Sequence, residues 1–186
     1  PLNITITLIG IVESSKALTR SGARPGDGIY VSGTIGDAGF CLWKLSNGLI
    51  PSNQELKRLN CPIPRVELGL VLKNLASACI DVSDGLEQDL SHILKASSVG
   101  AVIEVEKIPI SEALLGHIKD SNDWSIPLCG GDDYELCFTI PEGNEEVLKK
   151  ASKSCNVNIT RIGVVTEQLG LQIEGFDGPR KSYQHF

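Results

Sequence analysis

Short strand-like runs alternate with amphipathic helical runs along most of this chain of 186 residues. At 134–140 polar and apolar side chains alternate, which is the period-two pattern of a half-buried strand. Leu86, Leu90, Ile93 and Leu94 instead recur at helical spacing and mark one apolar helix face. Because the connections between these runs are short, their order favours a layered structure in which helices cover a β-sheet.

The predicted elements run from one end of the chain to the other. Strands are predicted over 3–9, 29–32, 79–82, 101–105, 134–140, 158–165 and 171–174, and helices over 37–45, 65–76, 84–99, 111–119 and 144–153. Ser52 and Glu55 have the spacing of a capping box, which predicts one more short helix. Pattern alone does not separate a parallel from a mixed sheet. The hairpin-like pair of short strands at the C-terminus favours the α+β class with a mixed β-sheet.

The composition excludes several classes of protein. Charged residues make up 22% and hydrophobic residues 41%, which is typical of a globular domain with one sizeable core. The formal net charge is -6 and no basic cluster is present, so nucleic acid is not expected as a partner. No apolar run approaches the ~18 residues of a membrane helix, and no signal peptide opens the chain. We therefore expect no membrane association and a cytoplasmic protein.

The cysteine and methionine content adds two expectations. The 6 cysteines form no CxxC pair, and we interpret them as reduced core residues. The chain contains no Met and begins with Pro1, so we expect that a segment precedes it in the intact translation product.

The most informative stretch is Asp81-Val82-Ser83-Asp84-Gly85, where a predicted strand gives way to a helix. Asp81 and Ser83 point to the same side of an extended strand, and Asp84 lies at the helix start beside free N–H groups. A helix N-terminus and a hydroxyl can bind a phosphate, while carboxylates hold a hard cation such as Mg²⁺. The alternative is structural: Asp84 and Glu87 form an ordinary capping box, and Asp81 fixes a turn.

A second cluster of acids follows two glycines at Gly130-Gly131-Asp132-Asp133-Tyr134-Glu135. Glycines allow a backbone to approach a ligand closely, and the carboxylates can bind a cationic ligand or a metal. The alternative interpretation is a turn with solvated acids.

Other segments carry weaker signals. The glycine-rich loop Gly33–Gly39 matches neither a Walker loop nor a dinucleotide fingerprint, and we interpret it as close packing with Asp37 as a helix cap. Arg20 and Arg24 lie in a predicted loop, where they either bind phosphate oxygens or remain solvated. The 3 histidines lack metal-ligand spacing, no nucleophile elbow is present, and Trp43 is assigned to the core.

Five motifs occur in order along nearly the whole chain. They are Arg20-Ser21-Gly22-Ala23-Arg24-Pro25-Gly26-Asp27, Gly33-Thr34-Ile35-Gly36-Asp37, Pro64-Arg65-Val66-Glu67-Leu68-Gly69, Asp81-Val82-Ser83-Asp84-Gly85-Leu86 and Gly130-Gly131-Asp132-Asp133-Tyr134-Glu135-Leu136. With these motifs the sequence resembles the C-terminal part of bacterial thiamine-monophosphate kinases, of the aminoimidazole-ribonucleotide synthetase superfamily. The resemblance implies that residues 1–13 are the terminal strand of an N-terminal domain absent here, and that 14–186 form the C-terminal α+β domain.

The resemblance also implies an activity, namely the ATP-dependent phosphorylation of thiamine monophosphate to thiamine diphosphate. Such a transfer needs alignment and cations rather than covalent help, so no catalytic residue is assigned. In the family pattern Asp81 and Asp84 bind Mg²⁺, Arg20 and Ser83 contact the nucleotide, and Asp132 contacts the thiamine substrate in place of the usual Glu. The family ending, in which an aromatic side chain packs on the substrate, places Tyr183 against the thiamine ring, although Ser182 replaces its Gly.

By the same resemblance, the full-length protein is a homodimer through its N-terminal domain. The 186-residue chain alone is then expected to lack kinase activity. Two alternatives remain open. One is another ATP-using enzyme of the superfamily, a selenophosphate or purine-pathway synthetase, and the other is a nucleotide- or metal-binding module without turnover.

Overall fold

A computed structural model describes residues 4–14 and 16–179 of the chain. Within these residues, strands form one sheet in the order β2-β4-β1-β5-β3-β6. The strands are β1 (Gly28–Ser32), β2 (Ala78–Val82), β3 (Gly100–Glu104), β4 (Glu135–Ile140), β5 (Ile159–Thr166) and β6 (Gly170–Glu174). The helices are α1 (Asp37–Ser46), α2 (Asn53–Asn60), α3 (Val66–Leu72), α4 (Leu86–Ser97), α5 (Glu112–Ser121), α6 (Ser125–Cys129) and α7 (Glu145–Cys155), with a 3₁₀ turn at Val105–Lys107.

The sheet is mixed, which confirms the predicted α+β class, but the reason given for that prediction is wrong. β5 and β6 do not pair as a hairpin. Both pair with β3, β5 antiparallel and β6 parallel, so they lie on opposite sides of it. The chain reaches β6 through a loop that passes over Gly100, where a Cβ atom would collide with the carbonyl oxygen of Gln168. All other pairs are antiparallel.

The core has two apolar layers, one on each face of the sheet. On β1 the side chains of Ile29 and Val31 belong to the larger layer and that of Tyr30 to the smaller one, as the two-residue period of a strand requires. Helix α4 covers the larger layer, and α3 and α7 cover the smaller one. Since both faces are covered, β1 is buried along its whole length.

Most predicted elements are confirmed, including the capping box at Ser52 and Glu55. The strand predicted over 3–9 is not formed in its described part: residues 4–13 have no regular structure, and Ile9 is 94% exposed. A strand needs a neighbour to satisfy its backbone hydrogen bonds, and the described chain offers none at this place. Helix α3 ends at Leu72, earlier than predicted, and the short helix α6 was missed because it spans five residues with a proline inside.

The cysteines are free thiols, but they differ in how deeply they are buried. Only three of the 6 are buried, and Cys61 is exposed, so the core assignment is wrong for that residue. Among the residues that the structure describes, no helix is long and apolar enough to cross a membrane.

Candidate active site

The end of β2 and the loop that follows it place three predicted site residues on one cavity wall. Asp81 is exposed although it lies in β2, and Ser83 and Asp84 follow directly. The helix begins at Leu86, with Gly85 as its N-cap at φ 116° and without a side-chain cap. A residue with a Cβ would clash at this glycine, because the backbone of Cys129 is in contact with it. The capping box that the sequence offered as an alternative is therefore not formed.

Asp89 organises this loop and was missed by the sequence analysis. Its buried carboxylate accepts hydrogen bonds from the backbone N–H groups of Ser83 at 2.9 Å and Asp84 at 3.0 Å. Those two N–H groups are thus occupied, but they precede α4, and the predicted anion site at the helix N-terminus stays a prediction. Burial raises the pKa of Asp89, and the two N–H bonds oppose that rise. The sequence signal that could have identified Asp89 is its position on the apolar face of α4, between Leu86 and Leu90.

The segment Gly130–Glu135 runs beside that loop and is joined to it by backbone hydrogen bonds. The N–H of Asp132 donates to the carbonyl of Ser83 at 2.9 Å, and the N–H of Tyr134 donates to that of Val82 at 2.8 Å. The pairing of β2 with β4 continues directly into this contact. The two acidic motifs of the sequence, which lie nearly fifty residues apart, thereby form one structural unit.

Alternate side chains of this segment point in opposite directions. Asp132 and Tyr134 are exposed, whereas Asp133 and Glu135 are each 1% exposed. The interpretation as a turn with solvated acids is therefore wrong for two of the three acids, Asp133 and Glu135. Asp133 accepts from the N–H groups of Gly36 at 2.6 Å and Ala38 at 3.3 Å, so it caps α1, the role predicted for Asp37. Burial raises the pKa of Asp133 to about 7.

Glu135 binds the arginine of the third sequence motif. Arg65 donates to its carboxylate from Nε at 2.7 Å and from Nη2 at 2.6 Å, and the Ser32 hydroxyl donates at 2.6 Å. Arg58 lies 3.4 Å away on the same carboxylate. The hydrogen bond to Glu135 raises the pKa of Arg65. These bonds fix the position of Arg65 at the N-terminus of α3.

Two cavities adjoin this unit. The larger, of about 1100 Å³, is lined by one side of α1, by the loop after β2 and by the segment from Cys129 to Tyr134. The smaller, of about 620 Å³, is lined by the loop before β1, by the start of α3 and by β2. Among the residues that the structure describes, Asp81 and Tyr134 alone line both cavities. Two ligands bound side by side would therefore meet at these two residues.

Comparison with known proteins identifies the family. The model of the AIR synthase related protein, C-terminal domain, matches residues 24–175. The chain belongs to this family. It is also 42% identical, over an alignment of 200 residues, to thiamine-monophosphate kinase of Salmonella typhimurium, an alignment that covers 100% of this chain and 60% of that protein. The chain thus spans about three fifths of the length of that curated relative.

Solved structures agree with this assignment to the AIR synthase related family. The crystal structure of thiamine-monophosphate kinase from Stenotrophomonas maltophilia matches with a TM-score of 0.83 and 38% identity, over 88% of this chain and 55% of that one. AaThiL complexed with AMPPCP and TMP matches with a TM-score of 0.74 and 31% identity, over 91% of this chain and 54% of that one.

In this member of the AIR synthase related family, the structure brings the described site residues of the family pattern to the two adjoining cavities, whereas Arg24 lies outside both. Arg20 lines the smaller cavity, and Ser83, Asp84 and Asp132 line the larger one, with Asp81 between them. Tyr183 lies outside the described residues. Arg24 lines neither cavity, and its backbone N–H donates to the carboxylate of Asp27 at 3.0 Å.

The residues of this family member fit a magnesium ion that is shared with a phosphate ligand. Within residues 4–14 and 16–179, no group of three or more His, Cys, Asp or Glu side chains is arranged to hold a metal. Asp81 and Asp84 offer two carboxylates on one cavity wall. Mg²⁺ typically binds one or two carboxylates and takes its other ligands from water and phosphate oxygens, which matches this donor set.

Proposed function

We propose that this chain is the C-terminal part of a thiamine-monophosphate kinase, which transfers the γ-phosphoryl group of ATP to the phosphate of thiamine monophosphate. The single observation that carries the proposal is the pair of cavities that meet at Asp81 and Tyr134. A transfer between two phosphates requires two ligands whose phosphates adjoin, and the neighbouring cavities provide that arrangement. AaThiL, a similar protein, was solved with AMPPCP and TMP together.

In this proposal the smaller cavity takes the nucleotide and the larger cavity takes thiamine monophosphate. Arg20, on the wall of the smaller cavity, pairs with phosphate oxygens of the nucleotide. Ser83 lines the larger cavity two residues beyond Asp81, and it donates its hydroxyl to the end of the nucleotide that reaches the junction. Asp132 and the aromatic side chain of Tyr183 contact the thiamine moiety, whose thiazolium carries a positive charge. The apolar side of α1, including Leu42 and Trp43, forms the wall opposite the carboxylates.

Asp81 and Asp84 hold Mg²⁺ in this proposal. The ion supplies positive charge against the phosphate oxygens that approach each other. The protein keeps both carboxylates in place through the Asp89 hydrogen bonds and the backbone bonds to the segment around Asp132. An oxygen of the acceptor phosphate attacks the γ-phosphorus, the bond to the bridging oxygen of the β-phosphate breaks, and ADP and thiamine diphosphate leave.

Further parts of the proposal rest on the family resemblance. The longer protein carries an N-terminal domain that precedes residue 14, supplies further metal ligands and forms a homodimer. The reaction takes place in the cytoplasm, where ATP is available, without nucleic acid or a membrane as partner.

The test is a coupled assay of thiamine diphosphate formation from ATP and thiamine monophosphate with Mg²⁺. We expect turnover by the longer protein, and a loss of at least about a hundredfold in kcat for its Asp81→Asn and Asp84→Asn variants. Asp120→Asn, an acid on α5 that lines neither cavity, is the matched control and retains activity. Inactivity of the wild-type longer protein on this pair of substrates, or its full activity in excess EDTA, contradicts the proposal. Steady turnover by the 186-residue chain alone refutes the need for an N-terminal domain.

A further inference from the structure

Tyr134 has a backbone conformation that bulky side chains rarely adopt. Its φ is 52°, and that of Asp132, two residues earlier, is 67°. In the left-handed region the Cβ atom crowds the backbone, so an aromatic residue there is an outlier that its surroundings must enforce. Such outliers concentrate at ligand sites, where the strained conformation directs a side chain.

The surroundings that enforce this conformation are visible on both sides of Tyr134. The carboxylate of Asp133 is fixed to the first turn of α1, and that of Glu135 is fixed to Arg65 and Ser32. The N–H of Tyr134 itself donates to the carbonyl of Val82. Because the buried carboxylates on both sides of Tyr134 are held by hydrogen bonds, the side chain of Tyr134 must point away from the core.

The side chain of Tyr134 lies at the junction of the two cavities. Tyr134 lines both of them and is 39% exposed. Its hydroxyl donates to Oδ1 of Asp132 at 3.3 Å. Burial and the neighbouring carboxylate of Asp132 raise the pKa of Tyr134, so the hydroxyl keeps its proton near neutral pH.

We propose that Tyr134 is a further substrate-contacting residue, whose ring forms a shared wall of the two cavities beside the reacting phosphates and whose hydroxyl holds the Asp132 carboxylate in position for the acceptor. This inference rests on the proposed kinase function. Tyr134 neither gains nor loses a proton during the transfer. Its contribution is to keep the attacking oxygen and the γ-phosphorus aligned.

The deciding experiment substitutes Tyr134→Gly in the longer protein. Glycine adopts a positive φ without strain, so we expect an unchanged or higher melting temperature together with a loss of about tenfold or more in kcat/KM. Ser98→Gly is the matched control, because Ser98 has φ 56° at the C-terminus of α4 and lines neither cavity. It is expected to preserve kcat/KM and to keep or raise the melting temperature.

A second variant separates the hydroxyl from the ring. Tyr134→Phe keeps the ring and the strained backbone, so we expect about a fivefold rise in KM for thiamine monophosphate with little change in KM for ATP. An unchanged KM for thiamine monophosphate overturns the role of the hydroxyl. Tyr134→Gly with kcat/KM within about twofold of wild type, or with a fall in stability that accounts for the lost activity, overturns the whole inference.

Ligand-binding titrations distinguish a failure of this inference from a failure of the proposed function. If the wild-type longer protein gives no turnover, the kinase proposal fails, and the same variants are titrated with AMPPCP and with thiamine monophosphate in the presence of Mg²⁺. Weaker binding by Tyr134→Gly than by Ser98→Gly then supports the role of Tyr134 as a ligand contact. Equal binding by the two variants overturns it.

Discussion

Asp133 illustrates how much one residue contributes to this site. Its carboxylate is buried, caps the first turn of α1 and lies between the two exposed side chains that face the cavities. Because the cap comes from a residue 97 positions away in the chain, the wall of the larger cavity and the acidic segment are held in a fixed relation. The nearby ion pair of Arg58 with Asp133, at 3.9 Å, only partly offsets the cost of burying this charge.

The raised pKa of Asp133, about 7 against an ordinary value of 3.8, predicts a pH dependence of stability. Between these two values the folded chain binds more protons than the unfolded chain, so the stability contributed by this group falls as the pH rises from about 4 to 7. We expect Asp133→Asn to remove this slope, so that the wild-type melting temperature falls about 5 °C more than that of the variant between pH 5 and 7.

Thermal unfolding of both proteins across this pH range measures the effect. Asp27→Asn is a suitable control, because Asp27 is also buried and also accepts a backbone hydrogen bond, from Arg24. Parallel curves for wild type and Asp133→Asn would contradict the raised pKa.

The sequence identified the exposed half of the site better than the buried half. Asp81, Ser83, Asp84 and Asp132, which the structure places on cavity walls, could be predicted as candidates because acids and hydroxyls next to glycines at strand ends are a local pattern. Asp89 has no such pattern, since its partners are defined only by how α4 is oriented relative to the preceding loop. The same holds for the inward direction of Asp133, which depends on contacts across the whole chain.

At the scale of elements, the pair of Glu135 and Arg65 joins the first residue of β4 to the residue that precedes α3. Glu135 is 1% exposed, so its charge depends on its partners in the protein. We expect Arg65→Met to reduce the free energy of unfolding by about 3 kcal/mol, because it leaves a buried carboxylate with fewer partners. Lys107→Met breaks the exposed pair with Glu104 and is expected to have almost no effect. Urea unfolding compares the two variants, and equal effects would contradict the structural role of Arg65.

Helix boundaries and strand pairs were predicted well where neighbouring residues in the sequence determine them, and poorly where distant residues do. Ser52 and Glu55 specify the start of α2 through their own hydrogen bonds, and the structure contains both. The pairing partner of β6 could not be predicted from such a local signal. Adjacency in sequence suggested that β6 pairs with β5, but it pairs with β3. This pairing depends on the absence of a side chain at Gly100, which allows the loop before β6 to pass over β3.

For the whole molecule, the structure of residues 4–13 predicts that this segment contributes little to stability. It has no regular structure, and its apolar side chains are exposed, from 56% for Val12 to 103% for Ile11. We expect deletion of residues 1–13 from the 186-residue chain to change the melting temperature by less than about 1 °C. A fall of more than about 5 °C would show that this segment packs on the α+β domain and would contradict the predicted boundary at residue 14.

The order of the strands also determines when the site can form during synthesis. The central strand, β1, is made early, yet its neighbours β4 and β5 follow much later, and the Ser32–Glu135 bond spans 103 residues. Loop closure over such distances is slow, and the nascent β1 leaves the ribosome without either neighbour. The two cavities share a residue of β2 and a residue of the segment before β4, so neither is complete until Tyr134 has been translated. A ribosome-bound intermediate of this protein therefore has neither cavity before the segment that leads into β4 has emerged.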